Sequence, residues 1–452
     1  MEIELIRSLQ ADFFRGGKTR DLTFRLDCLL RLGKYLEEHE DELLDGLHAD
    51  LGKPKIEAYL SEIYFPKSEI RLFRKKLKSW AKPVRAGFPF YHFPIKNRIH
   101  REPYGCSLII APWNYPFQLS LSPLIASVAA GNCVTLKPSE LAPATSANLA
   151  RLVEKVFEPE HVTVVQGDAE TAGELLKQPF DTVFFTGSKK VGKIVARSAA
   201  EHLAPTILEL SGKCPVIVDK DIDLKTAANR IAAAKFLNAG QICFAPDFLV
   251  AHHKVKDELV ALIRQEVEKL YQDSKDLARV INRHHYDRLL SIINSSGESI
   301  CIGQDDQEQL HLAPRLLTDI SWTSPAMEDE VFGPVLPILS YSDESDLIEQ
   351  LQKFSSPLAL YIFTDRKAFS DRLISAVPSG SVCINDLLKQ STNLDLPFGG
   401  VGGSGMGRYR GRFGFEAFTY QRPVTKRWLI SDPFAIQPPY AGKFEKSRKF
   451  LK

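Results

Sequence analysis

Short apolar runs recur along most of the chain, and their spacing predicts two sets of buried β-strands. The first 80 residues are an exception, because apolar positions such as Phe24, Cys28 and Leu32 follow a helical period. Beyond them, β-branched runs alternate with helical segments, which predicts parallel sheets covered by helices on both faces. The first predicted set comprises residues 107–110, 134–136, 162–165, 182–185 and 207–210, and the second comprises residues 216–218, 248–251, 335–339, 360–363 and 382–384.

This alternation predicts an α/β fold with two α/β units that meet near residue 210. The segment after Asp395 is rich in glycine and aromatic residues and does not continue the pattern as a third unit. An uncharged stretch at 119–136 contains Pro123, Gly131 and Asn132. It therefore predicts a helix, a turn and a strand in preference to a membrane span.

Composition and charge exclude several classes of protein. The chain has 452 residues, of which 44% are hydrophobic and 25% charged, proportions typical of a globular protein with two or three domains. Glycine and proline, at 27 residues each, are too few for a disordered or collagen-like chain. The net charge of +2 gives no general electrostatic reason to bind nucleic acid.

The cysteines and the termini indicate a reducing compartment. The seven cysteines are at least 27 residues apart and form no C-x-x-C pair, which argues against a disulfide framework and against a structural zinc site. The N-terminus lacks a basic segment followed by an apolar core, so no signal peptide is expected. The basic last ten residues are expected to form a solvated terminus in preference to a membrane contact.

A glycine turn predicts a phosphate-binding site. The motif G-S-K-K-V-G-K at residues 187–193 follows an apolar strand and opens a helix whose buried face is predicted to contain Val191, Ile194, Val195 and Ala199. This arrangement presents backbone N–H groups and the helix dipole to a phosphate. A magnesium-dependent P-loop needs a hydroxyl at the position of Ile194, so phosphoryl transfer is disfavoured.

A second glycine segment, G-V-G-G-S-G at residues 400–405, matches the consensus G-x-G-x-x-G of dinucleotide-binding turns. That consensus follows a strand and begins a helix, whereas this segment follows L-D-L-P-F and precedes more glycine. On its own, the segment predicts a structural loop.

Cys243 is the strongest candidate for a nucleophile. It lies between a helical run and the strand F-L-V-A, where a side chain is accessible, although a lone cysteine is commonly a small buried hydrophobe. Further motifs lie at turns that end apolar strands or beside glycine and proline. They are P-W-N at 112–114, K-P-S-E at 137–140, F-T-G-S at 185–188, E-L-S-G-K at 209–213 and E-V-F-G-P at 330–334.

With these motifs in this order, from about residue 50 to about residue 420, the chain resembles the NAD(P)-dependent aldehyde dehydrogenase superfamily. Likeness to the class 3 branch, which acts on fatty and aromatic aldehydes, rests on the short N-terminal part and on three segments. They are A-P-W-N-Y-P-F-Q-L, G-Q-I-C-F-A-P-D and L-P-F-G-G-V-G-G-S-G-M-G-R-Y-R-G. The resemblance implies an oxidoreductase that oxidises medium- or long-chain aliphatic, or aromatic, aldehydes to carboxylic acids.

The resemblance also implies catalytic roles for three residues. Cys243 would be the nucleophile, Glu209 the general base, and Asn114 the amide that supports the oxyanion. These residue types suit the chemistry, because a thiolate can add to a carbonyl and later leave from a thioester. A carboxylate shielded by apolar neighbours can activate water, and the backbone N–H of Cys243 is expected to be a second oxyanion donor.

Cofactor contacts are implied in the same way, for NAD or NADP. Lys137 and Glu140 would contact the adenosine ribose, the turn containing Gly187, Ser188 and Gly192 would bind the pyrophosphate, and Glu330 and Phe332 would contact the nicotinamide ribose and ring. A lysine near the 2′ position tolerates a phosphate, whereas a glutamate favours a free hydroxyl. The pair therefore leaves NAD and NADP both open.

Two departures from the family pattern affect the expected site. E-L-S-G-K replaces the usual E-L-G-G-K, so Ser211 adds a side chain where the backbone commonly lies close to the nicotinamide. Ile242 replaces the common threonine before the nucleophile and makes that wall more apolar. Together with Trp113, Tyr115 and Phe244 it predicts an apolar substrate tunnel, although these aromatic residues are equally consistent with an ordinary core.

The resemblance implies a homodimer built from three parts. The cysteine spacing, the N-terminus and the stretch at 119–136 predict a cytoplasmic protein with no metal site and no transmembrane anchor. A Rossmann-like cofactor domain would comprise residues 1–81 and 104–208, and an α/β catalytic domain residues 209–385. A small β bridging or oligomerisation element would comprise residues 82–103 and 386–425, followed by a C-terminal tail at 426–452. The glycine-rich loop at 398–407 would border the active site.

Two rival functions stay open. A coenzyme A-acylating dehydrogenase would pass the thioester to coenzyme A, but a base at Glu209 would then waste the intermediate by hydrolysis. A non-catalytic binding protein on the same fold is disfavoured by the joint presence of Cys243, Glu209 and Asn114.

Overall fold

The computed structural model describes residues 2–271, 273–429 and 437–450. It confirms the helical N-terminal region: helices α1 (Ile3–Arg15), α2 (Leu22–Glu38) and α3 (Glu40–Leu51) precede one long helix. This long helix consists of α4 (Lys55–Ala58), a π-helical segment (Tyr59–Tyr64) and α5 (Phe65–Trp80).

Strands and helices then alternate through most of the chain. The strands are β1 (Val84–Ala86), β2 (Ile95–Pro103), β3 (Cys106–Ile110), β4 (Cys133–Lys137), β5 (Val162–Val164), β6 (Thr182–Gly187), β7 (Thr206–Leu210), β8 (Pro215–Val218), β9 (Phe248–His252), β10 (Ser299–Cys301), β11 (Arg315–Leu317), β12 (Val335–Tyr341), β13 (Ala359–Phe363), β14 (Ser381–Ile384), β15 (Gly405–Met406) and β16 (Thr419–Arg427). The further helices are α6 (Gln118–Ala130), α7 (Pro143–Val156), α8 (Ala169–Leu176), α9 (Lys189–Glu201), α10 (Leu224–Phe236), α11 (Lys256–Leu270), α12 (Arg283–Ser295), α13 (Glu344–Gln352), α14 (Lys367–Ala376), α15 (Lys389–Thr392), α16 (Gly411–Ala417) and α17 (Lys443–Phe450). Within the described ranges, no helix has the length and apolar character needed to cross a membrane.

Two largely parallel sheets confirm the α/β class, and every run predicted as a strand is one. The first sheet has the order β15-β7-β6-β3-β4-β5, and the second has the order β10-β11-β12-β9-β8-β13-β14. Alternate residues of β3 pack into different cores, Leu108 with Val195 of α9 and Ile109 with Leu121 of α6. The first sheet is therefore buried on both faces, as its continuous apolar strands predicted.

A third sheet, of β1, β2 and β16, is antiparallel and lies largely in the residues that the resemblance assigns to a β bridging element, although no apolar run predicted its individual strands. Its strands are polar and mostly exposed, so they carry no buried-strand pattern. The structure also corrects two details of the expected bridging element. Strand β16 continues to Arg427, beyond residue 425, and β15 pairs with β7 of the first sheet.

Helix α9 begins directly after β6, as predicted, but its buried face is shifted by one residue. Gly192, Val195 and Ala199 are buried, whereas Val191 and Ile194 are 42% and 52% exposed. The buried positions follow the i, i+3, i+7 spacing of a helix that packs on the sheet. The prediction that Val191 and Ile194 are buried is therefore wrong.

The junction of the two large sheets brings the motif residues together. Strand β7 ends at Leu210 and β8 begins at Pro215, so the C-terminal edge of the first sheet adjoins the N-terminal edge of the second. The segments that follow β3, β4, β6 and β7 share that first edge because these strands are parallel. The turns before β9 and β12 lie at the second edge.

Candidate active site

Cys243 lies in a tight turn between α10 and β9 and is 8% exposed. The chain approaches it through three residues with left-handed backbone, Asn238, Ala239 and Gly240, whose φ angles are 50°, 52° and 70°. A Cβ at Gly240 would lie 2.2 Å from the carbonyl oxygen of Gly333, so only glycine allows this close approach. The turn therefore presses the nucleophile motif against the loop that carries Glu330 and Phe332.

Glu209 lies near the end of β7 and is almost completely buried, at 1% exposure. Neither of its carboxylate oxygens has a hydrogen-bond partner among the described residues, and the hydroxyl of its strand neighbour Thr186 has none either. The Cys243 thiol and the Thr186 hydroxyl nevertheless lie close enough to lower its pKa, so the buried carboxylate lies beside Cys243.

Burial sets the protonation of both groups. It raises the pKa of the Cys243 thiol well above its usual value, and the charge of Glu209 adds to this effect. Burial also raises the pKa of Glu209 to about 7, with partial offsets from Cys243, Arg410 and Thr186. Near neutral pH the carboxyl can therefore take up and release a proton, as a general base must.

Asn114 follows β3 and is buried, at 3% exposure. Its side-chain Nδ2 donates to the carbonyl oxygen of Gln241 at 3.0 Å, two residues before Cys243. Because an amide nitrogen carries two hydrogens, one of them stays available beside Cys243. The three residues that the resemblance assigned to catalysis are thus brought to one place.

Two cavities meet at Cys243. The larger, of about 460 Å³, is lined by Pro112, Trp113, Asn114, Thr186, Gly187, Ser188, Lys189, Lys190, Glu209, Ser211, Cys243, His285, Arg288, Asp329, Glu330 and Phe332. The smaller, of about 110 Å³, is lined by Leu60, Ser61, Phe65, Tyr115, Gln118, Leu119, Leu237, Ile242, Cys243, Phe244, Leu388, Ser391, Thr392 and Arg410. Tyr115, Ile242 and Phe244 share the smaller, mostly apolar cavity. Trp113, which was predicted to join them, lies in the larger cavity and contacts Phe332 with ring centroids 5.4 Å apart.

The larger cavity has the groups that an anionic dinucleotide needs. The N-terminus of α9 opens into it through Gly187 and Ser188, and Lys189 and Lys190 lie on its wall. Unpaired amides at a helix N-terminus and nearby ammonium groups both attract phosphate. Glu330 lies on the opposite segment, where burial and the charge of Asp247 raise its pKa well above the usual value.

Other expected cofactor residues lie away from the cavity lining. Lys137 ends β4, and its ammonium forms an ion pair of 2.6 Å with Glu140, whose side chain is 42% exposed. Both residues lie at the same edge of the sheet as Gly187, because β3 pairs in parallel with β4 and with β6. Gly192 lies within α9, where it is buried against the sheet.

The glycine-rich loop borders this site, as the resemblance implied. Gly405 pairs with Glu209 across β15 and β7. Its φ is 136°, and a Cβ there would lie 2.1 Å from the carbonyl oxygen of Leu208, so a side chain would displace the loop from Glu209. The loop therefore lies alongside the strand that carries the Glu209 carboxylate.

Arg410, which follows this loop, was not predicted as a site residue. It is 3% exposed, it donates to the carbonyl oxygen of Ser391, and its guanidinium lies 4.0 Å from the centre of the Phe398 ring. Phe398 in turn contacts Phe244, with ring centroids 5.4 Å apart. A buried cation thus lies in the wall of the smaller cavity. The sequence signal was an arginine inside the motif G-R-Y-R-G.

Lys213 and Asp247 were also missed, although both stand in motifs already quoted. Lys213 Nζ contacts Asp247 at 2.5 Å and donates to the carbonyl oxygen of Asp329 at 2.8 Å. Asp247 also accepts from the backbone N–H of Val331 at 2.8 Å. This buried pair fixes the segment that carries Glu330 to the link between the two sheets.

The unpartnered Glu209 is expected to lower the stability of the fold at high pH. Its pKa is 4.5 in a solvated chain and about 7 here, so the folded state loses stability as the pH rises from 4.5 through 7. A tenfold change in proton affinity is worth about 1.4 kcal/mol. Glu209→Gln should therefore raise the free energy of unfolding by about 3 kcal/mol at pH 8, and by less than about 1 kcal/mol at pH 5.

Urea unfolding at the two pH values measures this difference. Glu201→Gln, at an exposed position of α9, is the control and should change stability little at either pH. An equal gain at both pH values for Glu209→Gln would contradict the expectation, because it would show that the carboxyl is not the source of the pH dependence.

Comparisons with known proteins agree with this geometry. The sequence profile of the aldehyde dehydrogenase family matches residues 7–424. The chain is 42% identical over 445 residues to the 4,4'-diaponeurosporen-aldehyde dehydrogenase of Staphylococcus aureus, with 97% of each protein covered. It is 39% identical over 436 residues to aldehyde dehydrogenase family 3 member H1 of Arabidopsis thaliana, with 95% of this chain and 90% of that protein covered. The substrate-bound structure of Staphylococcus aureus AldH matches with a TM-score of 0.98 and 40% identity over the whole of both chains.

Proposed function

The chain belongs to the aldehyde dehydrogenase family, and from this premise we propose that Cys243, Glu209 and Asn114 catalyse the oxidation of aliphatic or aromatic aldehydes to carboxylic acids. The protein is an oxidoreductase that acts on aldehydes with NAD or NADP. The observation that carries the residue assignment is the meeting of two cavities at Cys243, with the buried Glu209 carboxylate lining the larger one.

The chemistry begins when the Cys243 thiol gives up its proton to solvent and the sulfur adds to the aldehyde carbon. The carbonyl oxygen becomes an alkoxide, which the free N–H of Asn114 Nδ2 and the backbone N–H of Cys243 stabilise. When bound, the oxidised nicotinamide supplies the acceptor for the hydride that leaves this carbon. Cys243 then carries the acyl group as a thioester.

Hydrolysis completes the cycle. Glu209 takes a proton from water, the resulting hydroxide adds to the thioester carbonyl, and the sulfur leaves with the carbon–sulfur electron pair. The net change consumes one aldehyde, one oxidised cofactor and one water, and it releases one acid, one reduced cofactor and one proton. A buried carboxyl whose pKa is about 7 can activate water near neutral pH, which favours this hydrolysis over transfer to coenzyme A.

An apolar aldehyde fits the smaller cavity. Tyr115, Ile242 and Phe244 provide apolar wall beside the sulfur, with Phe65 and Leu119 further along. The name of the Staphylococcus aureus relative, 4,4'-diaponeurosporen-aldehyde dehydrogenase, is consistent with an apolar aldehyde as substrate. The preference between NAD and NADP depends on Lys137 and Glu140, whose ion pair leaves neither charge dominant.

A cytoplasmic homodimer is part of the same proposal. The reaction needs Cys243 as a free thiol, which a reducing compartment preserves. Strands β14 and β16 are edge strands of their sheets. Exposed edge strands offer backbone groups to a second copy of the chain.

The direct test follows reduced nicotinamide with hexanal, a long-chain enal and benzaldehyde, using NAD and NADP in parallel and with or without coenzyme A. The expected result is aldehyde-dependent reduction and release of the free acid without coenzyme A. A strict requirement for coenzyme A would overturn the hydrolytic assignment. Absence of reduction with every aldehyde and both cofactors would overturn the proposed use of the site.

A further inference from the structure

A buried ion pair joins the N-terminal helical region to the active site. Lys53, just before α4, and Glu62, in the π-helical segment, are both 0% exposed, and the ammonium contacts Glu62 Oε1. The same ammonium lies 3.9 Å from the centre of the Tyr115 ring. A π-helical turn inside a longer helix is often found at a functional site, and here it carries the carboxylate of the pair.

The remaining hydrogen bonds of this pair all go to one short segment. Lys53 Nζ donates to the carbonyl oxygen of Asn114 at 3.0 Å. Glu62 Oε2 accepts from the backbone N–H groups of Phe117 and Gln118, each at 3.0 Å. Residues 114–118 are therefore held at both ends, and the carboxylate also caps the first turn of α6.

The same segment is fixed against the nucleophile turn. The carbonyl oxygen of Asn114 accepts a second hydrogen bond from Asn238 Nδ2 at 2.9 Å, and Asn114 Nδ2 donates to Gln241 at 3.0 Å. A shift of the segment would therefore turn the amide away from Cys243. Its position depends on Lys53 and Glu62 from one side and on the left-handed turn from the other.

A purely structural reason does not account for this pair. Burying two charges has a desolvation cost that a well-packed pair of apolar side chains avoids. Replacing a buried ion pair with such apolar side chains therefore often leaves stability unchanged or increases it. An apolar pair could not hold the Asn114 carbonyl or accept from the two amides. We propose that Lys53 and Glu62 are positioning residues for the oxyanion-binding amide of Asn114, a role that rests on the proposed function.

The test compares Lys53→Met and the apolar double variant Lys53→Met/Glu62→Leu with the wild type. The readout is the rate of the first burst of reduced nicotinamide, which follows acylation of Cys243. We expect the burst to slow by about 100-fold, the cost of a small misplacement of a catalytic group, while cofactor affinity is unchanged. Lys55→Met, which removes an exposed ion pair with Asp41, is the matched control and should leave the burst unchanged.

A double-mutant cycle separates positioning from general damage. Asn114→Ala alone should slow the burst by about 100-fold or more, because it removes an oxyanion donor. If the pair acts through Asn114, adding Lys53→Met to Asn114→Ala should slow the burst little further. The double variant keeps the test valid if Lys53→Met alone fails to fold, since it removes the Glu62 carboxylate together with its cation.

Three outcomes would overturn the inference. A normal burst in the apolar double variant would show that the pair is not needed. A full additional loss in the Asn114→Ala background would show that the pair acts by another route. A wild type that forms no reduced cofactor with any aldehyde would overturn the proposed function and this role with it, whereas the first two outcomes leave the proposed function intact.

Discussion

Replacing Cys243 with serine should abolish aldehyde-dependent formation of reduced nicotinamide, with a loss of about a thousandfold or more. A hydroxyl in this buried turn is a far weaker nucleophile than a thiol, and an alkoxide is a poorer leaving group than a thiolate. Burial already raises the pKa of the thiol, so the more basic serine hydroxyl would stay fully protonated. Stopped-flow measurement of the reduced cofactor at saturating aldehyde gives the first turnover directly.

Cys301→Ser is the matched control, because Cys301 is exposed on β10 and touches neither cavity. It should retain wild-type activity. Binding of the cofactor to Cys243→Ser should also be retained, which shows that the pocket is intact. If Cys243→Ser kept full activity, the assignment of the nucleophile would be wrong.

The sheets could be predicted from sequence because of how they are buried. Parallel strands covered on both faces read as continuous apolar runs, and the runs at 107–110 and 248–251 became β3 and β9 for this reason. Strands β2 and β16 lack that pattern, since their side chains are polar and exposed. Their pairing also joins residues about 320 positions apart, such as Thr419 and Pro103, which no local period encodes.

The site was predictable where short motifs carry the chemistry and not where distant charges support it. Cys243 and Asn114 stand in recognisable turns, and Glu209 stands in a recognisable motif at the end of β7. Lys53 and Glu62 lie in a region rich in charged residues, where a buried pair has the same local sequence as solvated ones. Only the folded chain shows that both are fully buried beneath Asn114.

Neighbouring residues can also face different cavities, which sequence proximity hides. Trp113 and Tyr115 flank Asn114 in the same motif, and both were predicted to form the substrate tunnel. The backbone between them places Trp113 beside Phe332 and Tyr115 over the Lys53 ammonium. The smaller cavity is therefore bounded by Tyr115, Ile242 and Phe244, and Trp113 belongs to the wall of the larger cavity.

Glu209→Gln should separate the two halves of the reaction. We expect a burst of about one reduced cofactor per site, because adding sulfur to the aldehyde and releasing hydride do not require water activation. Steady turnover should then fall by about a thousandfold, within the range that general-base catalysis contributes. In the wild type, steady turnover should rise with pH through about 7, as the Glu209 carboxyl loses its proton and becomes able to accept one. The glutamine variant should lack this rise.

A strong nucleophile tests whether the trapped species is the thioester. Hydroxylamine needs no general base to attack a thioester, so it should restore turnover of Glu209→Gln and yield the hydroxamate of the acid. It should have little effect on Cys243→Ser, which forms no thioester.

Loss of the burst itself in Glu209→Gln would assign the carboxylate an earlier step, removal of the proton from the Cys243 thiol. Such a role is chemically available, because both groups line the larger cavity and burial raises the pKa of Glu209 to about 7, which makes its carboxylate a stronger proton acceptor. The presence or absence of the burst therefore decides at which step Glu209 first acts.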